Sequence, residues 1–394
     1  MGQCPYGTYE SGKKRENMKD LKDIRVEIDT IDDQLLKLYH QRLLLAGNVA
    51  EYKIANHRPV LDKKREDEKL GVLTSKVEEP FEKEGIRELF ELIMSTSRKR
   101  QYQMMREHGV LVDHAYQPVE AFDFKGARIV YQGVEGAYSQ VATEKFFGPD
   151  QSSTHVTTWK DAMEALKEGR ADYAVLPIEN STAGAVTQIY DLLSSYDVSI
   201  IGEEIIKIEH ALLAVPGTKL SDIKRVYSHP QALMQCDHFL QDHLPGVEAQ
   251  SLLNTAVSAQ KIHDEGRKDQ AAIAGAINAR IYDLEILRSS IQDEKKNETR
   301  FLIVSSQRKF CTDAGHISIC FELPNEEGSL YRILSHFTFN SINMSRIESR
   351  PLEGKPWEYR FFVDFEGNLL DDSVTNALIG LSEETRNLRI LGNY

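Results

Sequence analysis

The chain has 394 residues, enough for two or three domains. Hydrophobic residues make up 41% and charged residues 28%, which excludes disordered and fibrous classes. A formal charge of −13 argues against nucleic acid and anionic membranes as partners. No apolar run is long enough to span a bilayer. Cys4, Cys236, Cys311 and Cys320 are scattered without metal-ligand spacing, so no metal is expected and a reducing cytoplasm is the simplest setting. Residues 1–17 are polar and lack the apolar core of a signal peptide. Tyr6, in place of Ser or Thr, argues against myristoylation at Gly2.

The first block, 18–108, reads as all helix. A helix from Met18 to Ala55 carries an apolar seam at heptad spacing: Leu21, Ile24, Ile28, Ile31, Leu35 and Leu38. The next seam position is Arg42. The seam then resumes at Leu45 and Val49, and Lys53 follows one turn later. An unpaired guanidinium on such a stripe costs several kcal/mol, so an anion must meet it. That anion is either an internal Glu or Asp or an imported ligand. Arg25, Lys53 and Arg65 lie on or near the same unit, and four converging cations favour an imported anion with more than one carboxylate. The helix spans roughly 57 Å at 1.5 Å per residue. A second helix is expected from near Asp62, whose carboxylate suits a helix N-terminus, to before Pro80. A third is expected from about Lys83, with Ile86, Leu89, Phe90, Ile93, Met94 and Ser97 on one face. Three helices of such unequal length cannot enclose a core alone, so the block is expected to form an intertwined homodimer. Residues 109–125, with Pro118 near the middle, are expected to be a linker.

The second block, 126–306, alternates short strands with helices. Strands are expected at Arg128–Tyr131, Tyr173–Leu176, Arg225–Tyr227 and Ala271–Ala274. Each leads through a small or polar turn into a helix, among them one through Leu193 and one through Leu240. This is an α/β plan with ligand sites at strand C-termini, where free backbone N–H groups favour carboxylate or phosphate. The Gly133/Gly136 pair lacks the leading glycine of a dinucleotide fingerprint, so no nucleotide cofactor is expected.

The third block, 315–394, has the order βαββαβ of a ferredoxin-like plan. Its strands are expected at His316–Leu323, Met344–Ser349, Tyr359–Phe365 and Leu388–Leu391. Its helices are expected at Leu330–Phe339, with Ser329 as cap, and Asp372–Glu383. It holds no acid–base constellation, so it is expected to bind rather than catalyse.

These residues resemble known families. The first block is similar to the all-helical chorismate mutases. Arg25, Arg42, Lys53, Asp62, Arg65, Glu66, Ser97 and Gln101 fall at that family's active-site spacing, and the run from His57 to Asp62 followed by Arg65-Glu66 is typical. The second block resembles prephenate dehydratase through Pro177-Ile178-Glu179-Asn180, Tyr227-Ser228-His229-Pro230-Gln231, Gln235-Cys236 and Thr299-Arg300-Phe301. The third resembles an ACT regulatory domain through Gly328-Ser329-Leu330 and Glu348-Ser349-Arg350-Pro351, with Ser329 where the family usually has alanine. Block order looks like the bifunctional chorismate mutase/prephenate dehydratase family. The resemblance implies a multidomain enzyme of phenylalanine biosynthesis. Its expected parts are a helical mutase dimer, a two-lobed dehydratase similar to periplasmic-binding-protein folds, and an ACT domain. An arogenate dehydratase and an amino-acid-binding regulator remain alternatives.

The chemistry assigns roles. Chorismate is a dianion whose rearrangement needs no nucleophile or cofactor, only a held diaxial conformer and stabilised charge at the breaking ether bond. Arg25 and Arg42 are expected to bind its carboxylates, Arg25 from the partner chain as the resemblance implies. Lys53 and Gln101 are expected to donate to the ether oxygen. Asp62 and Glu66 would orient the ring hydroxyl and its neighbours, and Arg65 and Ser97 would complete the shell. In the dehydratase step Thr299 is expected to donate to the departing hydroxide, directly or through a water. Glu179, Asn180, Ser228 and Gln235 would shape that site. Arg300 is either a carboxylate anchor or a structural ion pair. Phe301 should pack in the core, and Cys236 reads as a small buried residue rather than a nucleophile. In the third block, phenylalanine is expected between two copies. Its contacts would be Gly328, Ser329, Leu330, Asn343, Glu348, Ser349, Arg350 and Pro351, with Met344 and Ile347 beside its ring.

Overall fold

The structure is a computed structural model that describes residues 19–110 and 115–394. Met18, Cys4 and the polar segment 1–17 lie outside the described residues, as do 111–114 of the expected linker. The chain divides into two compact units, with the boundary in the sequence after Val110.

The first unit is helical: α1 (Leu21–Ala55), α2 (Lys63–Thr74) and α3 (Pro80–Glu107). Asp20 caps α1 through the amide of Lys22, and Asp62 caps α2 through that of Arg65. The third helix begins three residues earlier than expected. Pro80 fits the first helical position, where no N–H is needed, and the Glu79 carboxylate accepts from the amide of Glu82. Helix α1 buries only Ala46 and Ala50, and its seam lies open: Leu21, Ile28, Ile31, Leu35 and Leu38 are each at least half exposed.

The second unit opens with β1 (Gln117–Val119), β2 (Ile129–Gln132), α4 (Tyr138–Phe147), β3 (Ser153–Val156) and α5 (Trp159–Lys167). It continues with β4 (Tyr173–Asn180), β5 (Gly184–Ala185), α6 (Thr187–Ser195), β6 (Ser199–Lys207) and β7 (His210–Ala214). Next come β8 (Arg225–Ser228), α7 (Pro230–Met234), α8 (Asp237–His243), β9 (Glu248–Ser251), α9 (Thr255–Glu265), β10 (Gln270–Gly275), α10 (Ile277–Ile281) and β11 (Glu285–Arg288). Then follow β12 (Glu298–Ser305), β13 (Lys309–Cys311), β14 (His316–Leu323), α11 (Ser329–Phe339), β15 (Met344–Pro351), β16 (Tyr359–Glu366), α12 (Asp372–Glu384) and β17 (Arg386–Asn393).

Among the described residues β1 and β13 pair by themselves, and the other strands make two lobes. The smaller has a five-stranded sheet in the order β11-β7-β10-β8-β9. The larger is a ten-stranded sheet in the order β15-β16-β14-β17-β6-β12-β4-β2-β3, with β5 beside β4. The chain enters the smaller lobe after β6 and returns on β12, so two adjacent strands of the large sheet carry both crossings.

Four details differ from the sequence reading. Strand β4 runs through Pro177 to Asn180, where a turn is expected, because it pairs with β12 along its length. The register shifts between Phe301, opposite Pro177, and Arg300, opposite Glu179, so Ile178 is the extra residue of a bulge. The helix expected through Leu240 breaks at Gln235-Cys236, where the amide of Asp293 takes the Gln235 carbonyl at 2.7 Å. Part of the expected linker is strand: Pro118 pairs with Phe310, in parallel. Lastly, Ser329 is the first residue of α11 rather than its cap. Gly328 holds the cap position at φ 69°, and Ser329 Oγ reaches the Pro324 carbonyl at 3.3 Å.

The carboxy-terminal βαββαβ block shares the large sheet. Its strands lie in the order β15-β16-β14-β17, and β17 meets β6 in parallel at Gly392 and Ile200. A Cβ on Gly392 would lie 2.1 Å from the Ile200 carbonyl oxygen, so only glycine permits this approach. No described helix is long and apolar enough to cross a membrane.

Candidate active sites in the two units

A cavity of about 410 Å³ lies among the three helices. Its wall includes Arg42, Lys53, Arg65, Lys69 and Arg98 against the acids Asp62 and Glu66, a local excess of cations on an acidic chain. Arg42 does not form the internal salt bridge weighed above. Its guanidinium donates to Ser97 Oγ and, at 3.3 Å, to the Ile93 carbonyl. Burial holds it below its ordinary pKa, while Tyr39 and Glu66 oppose that shift. Glu66 instead accepts from Arg98 at 2.6 Å on both oxygens. Lys53 donates to the Val60 carbonyl at 2.5 Å, which ties the end of α1 to the turn before α2. Gln101 donates to the Ser97 carbonyl at 3.3 Å, while its own buried oxygen has no hydrogen-bond partner among the described residues.

Seven of the eight residues expected here line this cavity. Arg25 does not: it is exposed on α1, about 26 Å along the helix axis from Arg42. Arg98 and Lys69 escaped the sequence reading. The partner of Arg98 lies on another helix 32 residues away, and no local pattern announces such a pair.

A second cleft, about 440 Å³, opens between the two lobes of the second unit. Thr299, Asn180 and Gln235 line it together with Tyr138, Trp159, His210, His229 and Phe301. No Lys, Arg, Asp or Glu is among its lining residues. Asn180 Nδ2 donates to Thr299 Oγ1 at 2.9 Å and to the Glu298 carbonyl at 3.1 Å. Its Oδ1 accepts the backbone amides of Thr182 and Ala183 at 3.1 and 2.9 Å, which fixes the orientation of the amide. Thr299 Oγ1 therefore accepts from Asn180 and keeps its own proton to donate. Phe301, two residues along the same face of β12, is buried and forms part of the floor.

Three expected residues lie elsewhere. Ser228 is fully buried and donates to the Ile273 carbonyl at 2.6 Å, joining β8 to β10. Glu179 pairs with Arg346 of β15. Arg300 points away from Thr299 and is the structural ion pair of the two readings. It bonds Glu203, Asp364 at 2.9 Å and the Tyr394 hydroxyl at 2.9 Å. Burial alone would lower its pKa, but Tyr394, Asp364 and Glu203 outweigh it and raise it. Cys236 sits in the core, and burial, assisted by Asp293, pushes its thiol up to about 12, so it stays protonated.

In the third block Asn343 donates to Glu366 at 2.7 Å, and Arg350 holds both oxygens of Asp191 on α6 at 3.0 and 2.8 Å. Leu330 packs against the core beneath α11. Glu348 and Ser349 lie on β15, an edge strand that ends at Pro351. Among the described residues no group of three or more His, Cys, Asp or Glu is placed to hold a metal ion.

The units are thus a cationic helical cavity fit for a small polyanion and a charge-free two-lobed cleft with a poised hydroxyl. The family model for chorismate mutase type II matches residues 24–102, and that for prephenate dehydratase matches 129–309. A bifunctional chorismate mutase/prephenate dehydratase of Aquifex aeolicus is 33% identical over 380 residues, covering 96% of this chain and 98% of its own. An arogenate dehydratase/prephenate dehydratase of Arabidopsis thaliana is 39% identical over 283 residues, 68% of this chain and 72% of that one. Among solved structures, a prephenate dehydratase from Arthrobacter aurescens in complex with L-Phe superposes with a TM-score of 0.63 at 33% identity, covering 68% of this chain and 89% of that one. The chain belongs to the bifunctional chorismate mutase/prephenate dehydratase family. It joins an isomerase and a lyase of phenylalanine biosynthesis in one polypeptide.

Proposed function

We propose that the helical cavity binds chorismate and the interlobe cleft turns prephenate into phenylpyruvate, water and carbon dioxide. The mutase assignment rests on Arg42, a cation on an apolar stripe that no described carboxylate pairs. Arg42 holds one carboxylate of chorismate, and Arg65 and Ser97 complete the anion shell. Lys53 and Gln101 donate to the ether oxygen as its bond to carbon breaks, and Asp62 orients the ring hydroxyl. Glu66 acts through Arg98, which it holds at the cavity wall.

The working protein is a homodimer, a reading supported by the open seam of α1. Arg25 enters the partner's cavity and takes the second carboxylate. The setting is the cytoplasm, in keeping with free Cys236, Cys311 and Cys320.

In the cleft Thr299 donates a hydrogen bond to the ring hydroxyl of prephenate as it leaves. The electrons of the breaking carboxylate C–C bond flow into the ring, releasing CO₂ and expelling hydroxide, and aromatisation drives both. Asn180 holds Thr299 with its proton outward, and Gln235 faces the substrate. Residues 315–394 form an ACT regulatory domain that binds phenylalanine between two copies. The positive-φ Gly328, the helix start at Ser329-Leu330, Asn343 and the open edge strand with its exposed Ile347 support this reading.

Mutase assays on Arg25→Ala, Arg42→Ala and their mixture test the shared site. Each variant alone should lose turnover by hundreds-fold, about 3–5 kcal/mol, with dehydratase activity on added prephenate intact. Unfolded and refolded together, they should regain about a quarter of wild-type turnover, because half the dimers are mixed and one of their two sites is whole. No regain would sink the shared site.

Thr299→Ala should let prephenate accumulate from chorismate, while Thr299→Ser keeps part of the activity. Equal rates in the two variants would remove the hydroxyl from the chemistry. For regulation, calorimetry on the whole protein should show phenylalanine binding, with lowered dehydratase turnover at saturation and a coupling of about 1–3 kcal/mol. Absence of both would refute the ACT reading and leave the catalytic assignments standing.

A further inference from the structure

The cleft contains one buried titratable group that the dehydratase chemistry does not use. His210, at the start of β7, is 2% exposed and yet lines the cleft. Both ring nitrogens are engaged, and by opposite walls. Nε2 lies 3.0 Å from Gln235 Oε1, on the smaller lobe. Nδ1 lies 3.2 Å from the hydroxyl of Tyr138, which stands at the start of α4 on the larger lobe and donates to the Glu209 carbonyl at 2.7 Å. The Tyr138 and His210 rings also meet edge to face, with centroids 6.0 Å apart.

Gln235 then crosses back. Its Nε2 donates at 3.0 Å to Thr182 Oγ1 on the larger lobe, and Thr182 donates at 2.7 Å to Asn180 Oδ1. Asn180 is the residue that holds Thr299. One hydrogen-bonded chain thus runs His210, Gln235, Thr182, Asn180, Thr299 and crosses between the lobes at Gln235–Thr182, while Tyr138 packs against the other side of the His210 ring. Its polarity is consistent along the side chains. A neutral imidazole with its proton on Nε2 donates to Gln235 Oε1, which turns the Gln235 amide nitrogen toward Thr182. Burial, the main influence, favours the neutral ring and holds His210 below its usual pKa, against the opposing bond from Gln235.

We infer that His210 is a positioning residue for the dehydratase reaction, clasping the two lobes through Gln235 so that the substrate is held against Thr299. This rests on the cleft being the dehydratase site. A fixed gap between nucleofuge and donor is what such a reaction requires, and small misplacements carry large rate costs.

The test uses the full-length enzyme on prephenate. His210→Phe keeps a ring in the pocket and removes both nitrogens, while His210→Gln restores an N–H donor. Thr182→Val breaks the chain one bond beyond Gln235. The expected result is a fall in dehydratase kcat of about tenfold for His210→Phe, with KM within about twofold and substantial recovery in His210→Gln. Added to Thr182→Val, His210→Phe should cost no more than about twofold further, since the clasp is already open. Equal losses in the Phe and Gln variants would overturn the inference, as would losses that multiply in the double variant or a normal kcat in His210→Phe. Mutase turnover serves as control. If Thr299→Ala leaves dehydratase activity unchanged, the dehydratase reading itself fails; if only the His210 series departs from expectation, the clasp alone fails.

Discussion

Strand β12 is the member on which the second unit depends. It lies between β4 and β6, bonded antiparallel to both from Glu298 or Thr299 to Ser305. Successive side chains of a strand face opposite sides. Thr299 and Phe301 therefore face the cleft, while Arg300 faces the ion cluster of Glu203, Asp364 and Tyr394. The neighbouring strand repeats the arrangement: Asn180 holds Thr299, and Glu179 beside it pairs with Arg346. Thr299 and Asn180 thus each have a chain neighbour anchored in the carboxy-terminal block. Arg346 and Arg300 also share Asp364, at 3.7 and 2.9 Å, which makes that carboxylate the meeting point of both anchors. Any shift of β16 against β12 moves the backbone that carries Thr299. The pairing of β17 with β6 at Gly392 and Ile200 adds a backbone contact between the same two parts of the sheet.

The helical unit obeys the opposite logic. Its cavity gathers cations, and its apolar seam on α1 lies open. The cleft in the second unit contains no formal charge on its lining residues. On the proposed assignment a dianion meets guanidinium and ammonium groups in the first site and neutral N–H and O–H donors in the second. The difference suits the two reactions. Rearrangement keeps both carboxylates and needs only a clamp. Decarboxylation must let one carboxylate go, and a strong cation beside it would stabilise the ground state that has to be lost.

Much of this was legible in the sequence where the signal is local. Heptad spacing located α1, and the break at Arg42 located the cavity. The cap Asp62 and the strand His316–Leu323 follow from short-range chemistry, whereas α11 is capped by Gly328 one residue before the expected Ser329. What escaped was set by distant partners. Tyr173–Asn180 remains strand past Pro177 because β12, more than a hundred residues later, supplies its bonds. Arg300 could be weighed only as anchor or ion pair, since Asp364 and Tyr394 lie 64 and 94 residues away. Ser228 sits in a motif beside the cleft, yet its hydroxyl is spent on Ile273, a contact that depends on how β8 meets β10. His210 carries no motif at all. It is noticed only once its ring is seen between Tyr138 and Gln235.

The central claim is that the carboxy-terminal block holds Thr299 in place through β12. Asp364 is the point to probe, because it lines neither the cleft nor the helical cavity and anchors both Arg300 and Arg346. Asp364→Asn keeps shape and removes charge. Dehydratase kcat on prephenate should fall by about tenfold, about 1.4 kcal/mol in the barrier, with mutase turnover unchanged and the protein still folded by thermal unfolding. A folded Asp364→Asn enzyme with wild-type dehydratase kcat would contradict the claim.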